Sequence, residues 1–181
     1  MKVQKIMNRL SRLLIVALVL TTCVGCDQVT KSIAKGSLEP YEKITLLRDV
    51  VHLQYVENPG AFLSLGAGLP DDLRFLLFVV FVAAALAATL AYGIGGRNVH
   101  PGQLVSLALI AGGGIGNLID RIGNEGGVVD FMSVGIGPLR TGIFNVADVA
   151  IMAGLFAFII TLRKYPQAMP TPAEANAGAA E

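Results

Sequence analysis

Residues 75–96 read FLLFVVFVAAALAATLAYGIGG and contain no charged side chain. A helix crosses the hydrocarbon core of a bilayer with about 20 predominantly apolar residues, so this stretch predicts a membrane span. Residues 13–26, 101–119 and 142–162 are also apolar and carry no charge apart from Asp148. We therefore expect an all-α membrane protein built as a four-transmembrane-helix bundle, with spans at about residues 12–30, 74–96, 101–120 and 143–163.

The composition agrees with a membrane protein. Of the 181 residues, 54% are hydrophobic and only 15% are charged, and the mean hydropathy is +0.64. Soluble domains carry about 25% charged residues. The formal net charge is +1 and the basic residues form no stripe, so we expect no nucleic-acid partner.

The basic residues predict the orientation in the membrane, because Lys and Arg are enriched in cytoplasmic loops. They precede the first span, and they recur at Arg97 in the second connection and at Arg163 and Lys164 after the last span. With four spans, these regions lie on one side if both termini are cytoplasmic. The connections at residues 32–74 and 123–141 then face outward.

The two outward connections differ in composition. Residues 44–55, ITLLRDVVHLQY, are rich in Val, Leu and Thr and predict a strand, and Asn58-Pro59-Gly60 predicts a turn. We expect a small extracytoplasmic β-sheet that lies on the membrane surface. The second connection is rich in glycine and predicts a loop. Residues 165–181 are rich in Pro, Ala and Glu and predict a disordered cytoplasmic tail, which leaves residues 1–164 as a single membrane domain.

The N-terminal segment has a second interpretation. Basic residues, an apolar run and the sequence TCVGC at residues 22–26 resemble a lipoprotein signal peptide, whose cleavage would leave Cys26 as a lipidated first residue. Three more predicted spans follow, which favours a membrane helix instead. The pair Cys23 and Cys26 could also bind metal, but no second Cys pair or His cluster accompanies it. We expect no metal site.

Polar side chains gather at the outward ends of the predicted spans. Inserting an ionised side chain at the bilayer centre costs about 2.5–3.5 kcal/mol, so such residues are kept when they form ion pairs or when the function of the protein requires them. They could simply form hydrogen bonds between helices. Their concentration at one membrane depth favours a functional site instead. The set is Asp27, Lys31, Asn117, Asp120, Arg121, Asp130, Asn145 and Asp148.

Carboxyl groups are the reactive groups of this set. No histidine lies near them in sequence to activate a serine or cysteine, and no metal-ligand cluster is evident. Two carboxyl groups held together do not both ionise easily, so one keeps a proton while the other acts as a base. Such a pair can hydrolyse a peptide bond without a cofactor. Spacing alone leaves open whether Asp120 or Asp130 is the partner of Asp148.

Five short motifs, in this order, resemble those of the signal peptidase II family, the lipoprotein signal peptidases. They are DQVTK at residues 27–31, NPGAF at 58–62, GGIGNLIDR at 113–121, VVDF at 128–131 and FNVAD at 144–148. The resemblance covers about residues 10–163. It implies an aspartic endopeptidase of the bacterial inner membrane that needs neither cofactor nor metal. The implied substrate is a diacylglyceryl-modified prolipoprotein, cut just before its lipidated cysteine.

The resemblance also implies the roles of single residues. Asp130 and Asp148 are then the catalytic pair. The family is inhibited by cyclic peptides of the globomycin class, which this chain should therefore bind, together with membrane lipids. Residues 122–127 and 132–141 depart from the family pattern, and we expect 132–141 to be a loop that clamps over the substrate. The implied supporting residues are Asp27, Lys31, Asn58, Gly60, Asn117, Asp120, Arg121 and Asn145.

The main alternative is a small membrane transporter or channel subunit, because intramembrane acids often mark ion paths. The acids of a transporter lie near the bilayer midplane and connect to both faces. Here the inward half of each predicted span lacks acidic side chains, which disfavours that class. We expect an active site near the outer leaflet, which the substrate enters sideways from the bilayer.

Overall fold

The computed structural model describes residues 7–39, 42–61 and 64–165. Within these residues, four helices are long and apolar enough to cross a membrane. They are α1 (Arg9–Ser37), α2 (Asp71–Gly95), α3 (Pro101–Gly123) and α4 (Val146–Lys164). The predicted helices and small sheet are confirmed. The predicted tail lies outside the described residues except for Tyr165.

A four-stranded antiparallel sheet packs at one end of the helices. Its strands are β1 (Ile44–Leu46), β2 (Val51–Asn58), β3 (Val128–Ile136) and β4 (Leu139–Arg140), in the spatial order β1-β2-β3-β4. Helix α1 continues through residues 27–34 to Ser37, so it carries its last turns to the level of the sheet.

Helix α3 is the central helix, since it packs against α1, α2 and α4, whereas α2 and α4 hardly touch. Glycines allow the close approach: a Cβ atom at Gly112 would lie 2.8 Å from Cβ of Cys23 in α1, and one at Gly154 of α4 would lie 2.8 Å from the backbone oxygen of Ser106. Small residues bring helices together in this way in membranes. The sheet-side end of α3 is thereby surrounded by the other elements.

Arg12 joins α1 to α2 at the end of the bundle opposite the sheet. Its Nη1 donates to the backbone oxygens of Gly93 at 3.4 Å, Ile94 at 3.3 Å and Gly96 at 2.5 Å. The last carbonyl groups of a helix have no partner within the helix, and a cation there also meets the negative end of the helix dipole. Arg12 therefore caps α2, and its side chain is buried.

We expect Arg12→Leu to lower the thermal unfolding midpoint of the detergent-purified protein, because the end of α2 loses its donor. A hydrogen bond to a charged group contributes about 1.5–3 kcal/mol. Arg9→Leu is the matched control, since Arg9 is exposed on the same helix. Equal midpoints for the two variants by circular dichroism would contradict the capping role.

The sheet corrects the prediction of one strand over residues 44–55. The chain instead forms a hairpin, because Leu47, Arg48 and Asp49 have φ angles of 49°, 54° and 73°. Left-handed backbone cannot continue a strand. Val, Leu and Thr dominate this stretch and favour strand, and Asp49 is the one residue of the turn whose type strands disfavour.

The predicted loop at residues 132–141 is also wrong. Most of it belongs to β3 and β4, which are joined by a turn in which Gly137 has a φ of 55°. The glycines of this stretch suggested a hinge. Strand β3 forms because residues 128–134 pair along β2, a contact that is distant in sequence.

Candidate active site

Asp130 and Asp148 reach one place from β3 and from the start of α4. Phe144 joins these two elements, because its backbone N donates to the oxygen of Met132 at 2.8 Å and its oxygen accepts from the N of Met132 at 3.0 Å. The next residue, Asn145, binds both acids. Its Nδ2 donates to Oδ1 of Asp130 at 2.7 Å, and its backbone N donates to Oδ2 of Asp148 at 3.2 Å.

Asn145 and Asp148 form a capping box at the N-terminus of α4. Oδ1 of Asn145 accepts from the backbone N of Asp148 at 3.0 Å, and the carboxylate of Asp148 accepts from the backbone N of Asn145 in return. This exchange satisfies two backbone donors of the first turn. It also holds the Asp148 carboxyl group at the positive end of the helix dipole.

Asp130 occupies a more enclosed environment, with 4% of the residue exposed. Burial is the main reason why its pKa is raised to about 6, and the nearby charge of Asp148 raises it further. Hydrogen bonds from Nδ2 of Asn58, at 3.2 Å, and from Asn145 oppose the rise. A carboxyl group in this setting can hold a proton close to neutral pH.

Lys31 is the centre of a buried ionic cluster beside the two acids. Its Nζ lies 2.8 Å from Oδ2 of Asp27, 2.9 Å from Oδ2 of Asp120 and 2.9 Å from Oδ1 of Asn117. The ammonium group has three N–H donors, and three acceptors use them. The cluster therefore joins α1 to α3 in one defined arrangement.

Asp120 has the contacts of a structural residue. Its Oδ1 accepts from Nε2 of Gln28 at 2.9 Å, and its Oδ2 accepts from the backbone N of Val129 at 3.0 Å as well as from Lys31. Both oxygens are occupied, and the bond to Val129 fixes the strand one residue before Asp130. The cluster thus positions β3.

Asp27 positions α4 in the same way. Its Oδ1 accepts from the backbone N of Ala147 at 2.9 Å, in the first turn of that helix. Gly116 of α3 makes room for it, since a Cβ atom there would lie 2.6 Å from Oδ2 of Asp27. Any side chain at position 116 would displace the acid that holds α4.

Asn58, Gly60 and Arg121 complete the site on the side of α2. Nη2 of Arg121 donates to the oxygen of Gly60 at 2.9 Å, and its guanidinium lies over the ring of Phe78 in α2 at 5.6 Å. The N of Gly60 donates to Oδ1 of Asn58 at 3.0 Å, which aims Nδ2 of Asn58 at Asp130. A Cβ atom at Gly60 would lie 2.6–2.7 Å from backbone atoms of residues 64–65, so this turn requires glycine.

The structure brings all of the predicted site residues into one connected set of hydrogen bonds and ion pairs. Sequence reasoning missed Gln28, Gly116 and Phe78. Gln28 and Gly116 lie inside the quoted motifs, so a separate look at each motif residue could have found them. No local pattern marks Phe78, because its contact with Arg121 depends on how α2 packs.

Comparison with known proteins identifies the family. Residues 18–164 match the family model described as signal peptidase (SPase) II. The chain belongs to this family. Its members are aspartic peptidases, and the candidate transporter or channel subunit is set aside.

Relatives called lipoprotein signal peptidase match most of the chain. The Rhodococcus jostii (strain RHA1) protein is 35% identical over 158 residues, which cover 84% of this chain and 72% of the relative. The Chlorobium phaeobacteroides (strain BS1) protein is 37% identical over 148 residues, or 77% of this chain and 89% of the relative. The Sphingopyxis alaskensis protein is 40% identical over 136 residues, which cover 74% of this chain and 76% of the relative.

Solved structures support the same identification. A bacterial membrane enzyme determined by the in meso method at 2.3 Å resolution superposes with a TM-score of 0.71 at 26% identity, and covers 86% of this chain and 94% of that one. A second such structure, at 1.9 Å resolution, has a TM-score of 0.69, also at 26% identity, over 89% of this chain and 97% of that one. This signal peptidase is accordingly a multi-pass membrane protein.

Proposed function

We propose that this signal peptidase cleaves diacylglyceryl-modified prolipoproteins just before the lipidated cysteine, with Asp130 and Asp148 as its catalytic pair. Family membership supports the removal of signal peptides from prolipoproteins. One observation carries the choice of acids: Asn145 donates to both of them, from its side chain to Asp130 and from its backbone to Asp148. Asp120 is instead saturated by three donors.

The pair shares one proton across a water molecule. The ionised acid takes a proton from the water, and the water oxygen forms a bond to the scissile carbonyl carbon. The protonated acid stabilises the developing oxyanion and then gives its proton to the leaving nitrogen as the C–N bond breaks. The two acids have then exchanged protonation states, and a proton passes back between them before the next turnover. No step needs a cofactor.

The proposed site lies near the outer leaflet of the bacterial inner membrane, with both termini cytoplasmic. This orientation places the basic residues Arg97, Arg163 and Lys164 on the cytoplasmic side. The sheet then lies on the outward-facing surface of the inner membrane. Four exposed apolar side chains in the two hairpins support contact with lipid, at 43% to 83% exposure. They are Leu46, Leu47, Ile136 and Leu139.

The two hairpins lie at the same end of the sheet, because Val51 at the start of β2 pairs with Val134 near the end of β3. Arg140 holds them together, since its Nη1 donates to the oxygen of Asp49 at 2.7 Å. The exposed apolar side chains therefore lie together at this end of the sheet. This end can rest in the lipid interface while the strand residues near Asp130 face the substrate.

The substrate reaches the acids through a cleft between α2 and α4. Arg121 contacts Phe78 of α2, and Asn117 donates to Asp148 of α4 at 2.9 Å. Because α2 and α4 hardly touch, no packed interface between these two helices blocks an approach along this side of α3. A signal segment that is itself a membrane helix, with its lipid chains still in hydrocarbon, can approach along this side.

The test compares a lipidated prolipoprotein with the same chain in which the lipobox cysteine is serine and carries no lipid. We expect the purified enzyme to cleave only the lipidated chain, and mass spectrometry to place the new N-terminus at the modified cysteine. A cyclic peptide of the globomycin class should block this cleavage. Equal rates on both substrates, or a cut at another bond, would contradict the proposal.

A further inference from the structure

The carboxamide of Asn117 lies between a cation and one of the two proposed catalytic acids. Its Oδ1 accepts from Nζ of Lys31 at 2.9 Å, and its Nδ2 donates to Oδ1 of Asp148 at 2.9 Å. Oδ1 also accepts from Nδ2 of Asn145 at 3.1 Å. Turning the amide over would place its NH₂ group against two donors, so these contacts determine its orientation.

This orientation transmits the charge of Lys31 to Asp148. A carboxamide whose oxygen binds an ammonium group is polarised, and its N–H donors become stronger, as in other chains of hydrogen bonds within a low-dielectric interior. Asp148 therefore accepts a strengthened hydrogen bond at Oδ1. Its Oδ2 accepts from the backbone N of Asn145 at the N-terminus of α4, where the helix dipole also favours negative charge.

Asp130 is placed differently. It lies on a strand, where the backbone dipoles largely cancel. One of its donors, Nδ2 of Asn145, is shared with Asn117 and with the backbone oxygen of Val129. The other, Nδ2 of Asn58, is 3.2 Å away. Burial and the charge of Asp148 raise the pKa of Asp130, although its two hydrogen bonds and the charge of Lys31 oppose the rise.

The charges around the pair indicate that one proton is retained. Asp130 and Arg121 of α3 interact electrostatically with Asp148. Asn117 connects Asp148 to the adjoining cluster of Lys31, Asp27 and Asp120. The site and this cluster together contain two cations and four carboxyl groups. With every carboxyl ionised, the buried site would carry two uncompensated negative charges, and one proton removes one of them.

We propose that Lys31, acting through the carboxamide of Asn117, keeps Asp148 ionised, so that Asp148 is the general base and Asp130 holds the shared proton. Lys31 and Asn117 are then positioning residues that act on the base without touching the substrate. The inference rests on the proposed function. In the resting enzyme Asp148 takes the proton of the attacking water, and Asp130 supplies the proton that the leaving nitrogen receives.

The test is the pH dependence of kcat/KM for a lipidated prolipoprotein. In the parent enzyme, we expect activity to fall at low pH as the general base gains a proton and to fall at high pH as the general acid loses its own. Asn117→Ala removes the donor to Asp148. We therefore expect the acidic limb of the pH profile, where kcat/KM falls as the pH is lowered, to move to higher pH by about one unit. The alkaline limb should move less than the acidic limb.

A second variant covers the case in which Asn117→Ala does not fold. The double substitution Asp27→Asn with Lys31→Met removes one charge of each sign. It also keeps a side-chain oxygen for the backbone N of Ala147. We expect the same upward movement of the acidic limb. A purely structural role would lower kcat/KM at every pH without moving the limb, and that result in either folded variant overturns the inference.

The same data separate this inference from the proposed function. A parent enzyme that fails to cleave the lipidated substrate contradicts the proposed function. A parent enzyme that cleaves it, with unmoved limbs in the variants, contradicts only the role of Lys31 and Asn117. Movement of the alkaline limb alone would assign the proton to Asp148 and reverse the two roles.

Discussion

Asp148→Asn and Asp130→Asn are each expected to lower the cleavage rate of a lipidated prolipoprotein by about 10³-fold or more, while the protein still folds. A positioned acid or base contributes about 10²–10⁴-fold to a rate. The two groups act on one water in different roles, as base and as acid, so neither can replace the other. Asparagine keeps the size of the side chain and one oxygen acceptor, so one of the two hydrogen bonds that each acid accepts survives. The bond that is lost comes from an uncharged donor, so no buried cation loses its partner.

The control is Asp71→Asn, an exposed acid that pairs with Arg74 at the start of α2. This substitution changes the net charge by the same amount, and the variant enzyme should cleave at the parent rate. The rates are measured with purified enzyme in lipid or detergent, and circular dichroism confirms folding. Cleavage by Asp130→Asn or Asp148→Asn within about tenfold of the parent would remove that acid from the catalytic pair.

Asp120→Asn is expected to produce the opposite result, a large loss of stability with the chemistry retained. Asp120 accepts from Lys31, Gln28 and the backbone N of Val129. An asparagine must turn its NH₂ group toward one of these donors, and Lys31 loses one of its two anionic partners. Removing one partner of a buried ion pair destabilises a protein by about 3 kcal/mol or more.

The measurements are the thermal unfolding midpoint and the cleavage rate per folded molecule at a temperature well below that midpoint. We expect a clear fall in the midpoint and a smaller loss of rate than in Asp130→Asn, since the proposed acids keep their own partners. Asp130→Asn should show the reverse pattern. A normal midpoint with abolished cleavage for Asp120→Asn would exchange the roles assigned to Asp120 and Asp130.

The positions of the helices could be predicted because they depend on local properties. A run of about 20 apolar residues is long enough to cross a bilayer whatever surrounds it, and residues 75–96 meet that condition alone. The spacing of Asp27 and Lys31 by four residues likewise places them on one helix face. The structure shows this pair at 2.8 Å.

The sheet could not be predicted to the same extent. A strand needs partners, and the partners of residues 128–134 lie at residues 51–58, far away along the chain. Glycine content made residues 132–141 look like a loop, although only the turn at Gly137 uses glycine's access to positive φ. Strand propensity depends strongly on these surroundings.

The amino-acid sequence was enough to predict a helical membrane protein whose acids gather at one end of the spans, because hydrophobic length and helical spacing act within single segments. Spacing along the chain leaves open whether Asp120 or Asp130 is the partner of Asp148, and the family resemblance implies Asp130. The contacts around the two acids depend on tertiary packing: Asp120 is occupied by Lys31, Gln28 and Val129, whereas Asp130 shares Asn145 with Asp148. The state of a buried carboxyl group depends on the donors and charges around it, and here these come from three helices and two strands.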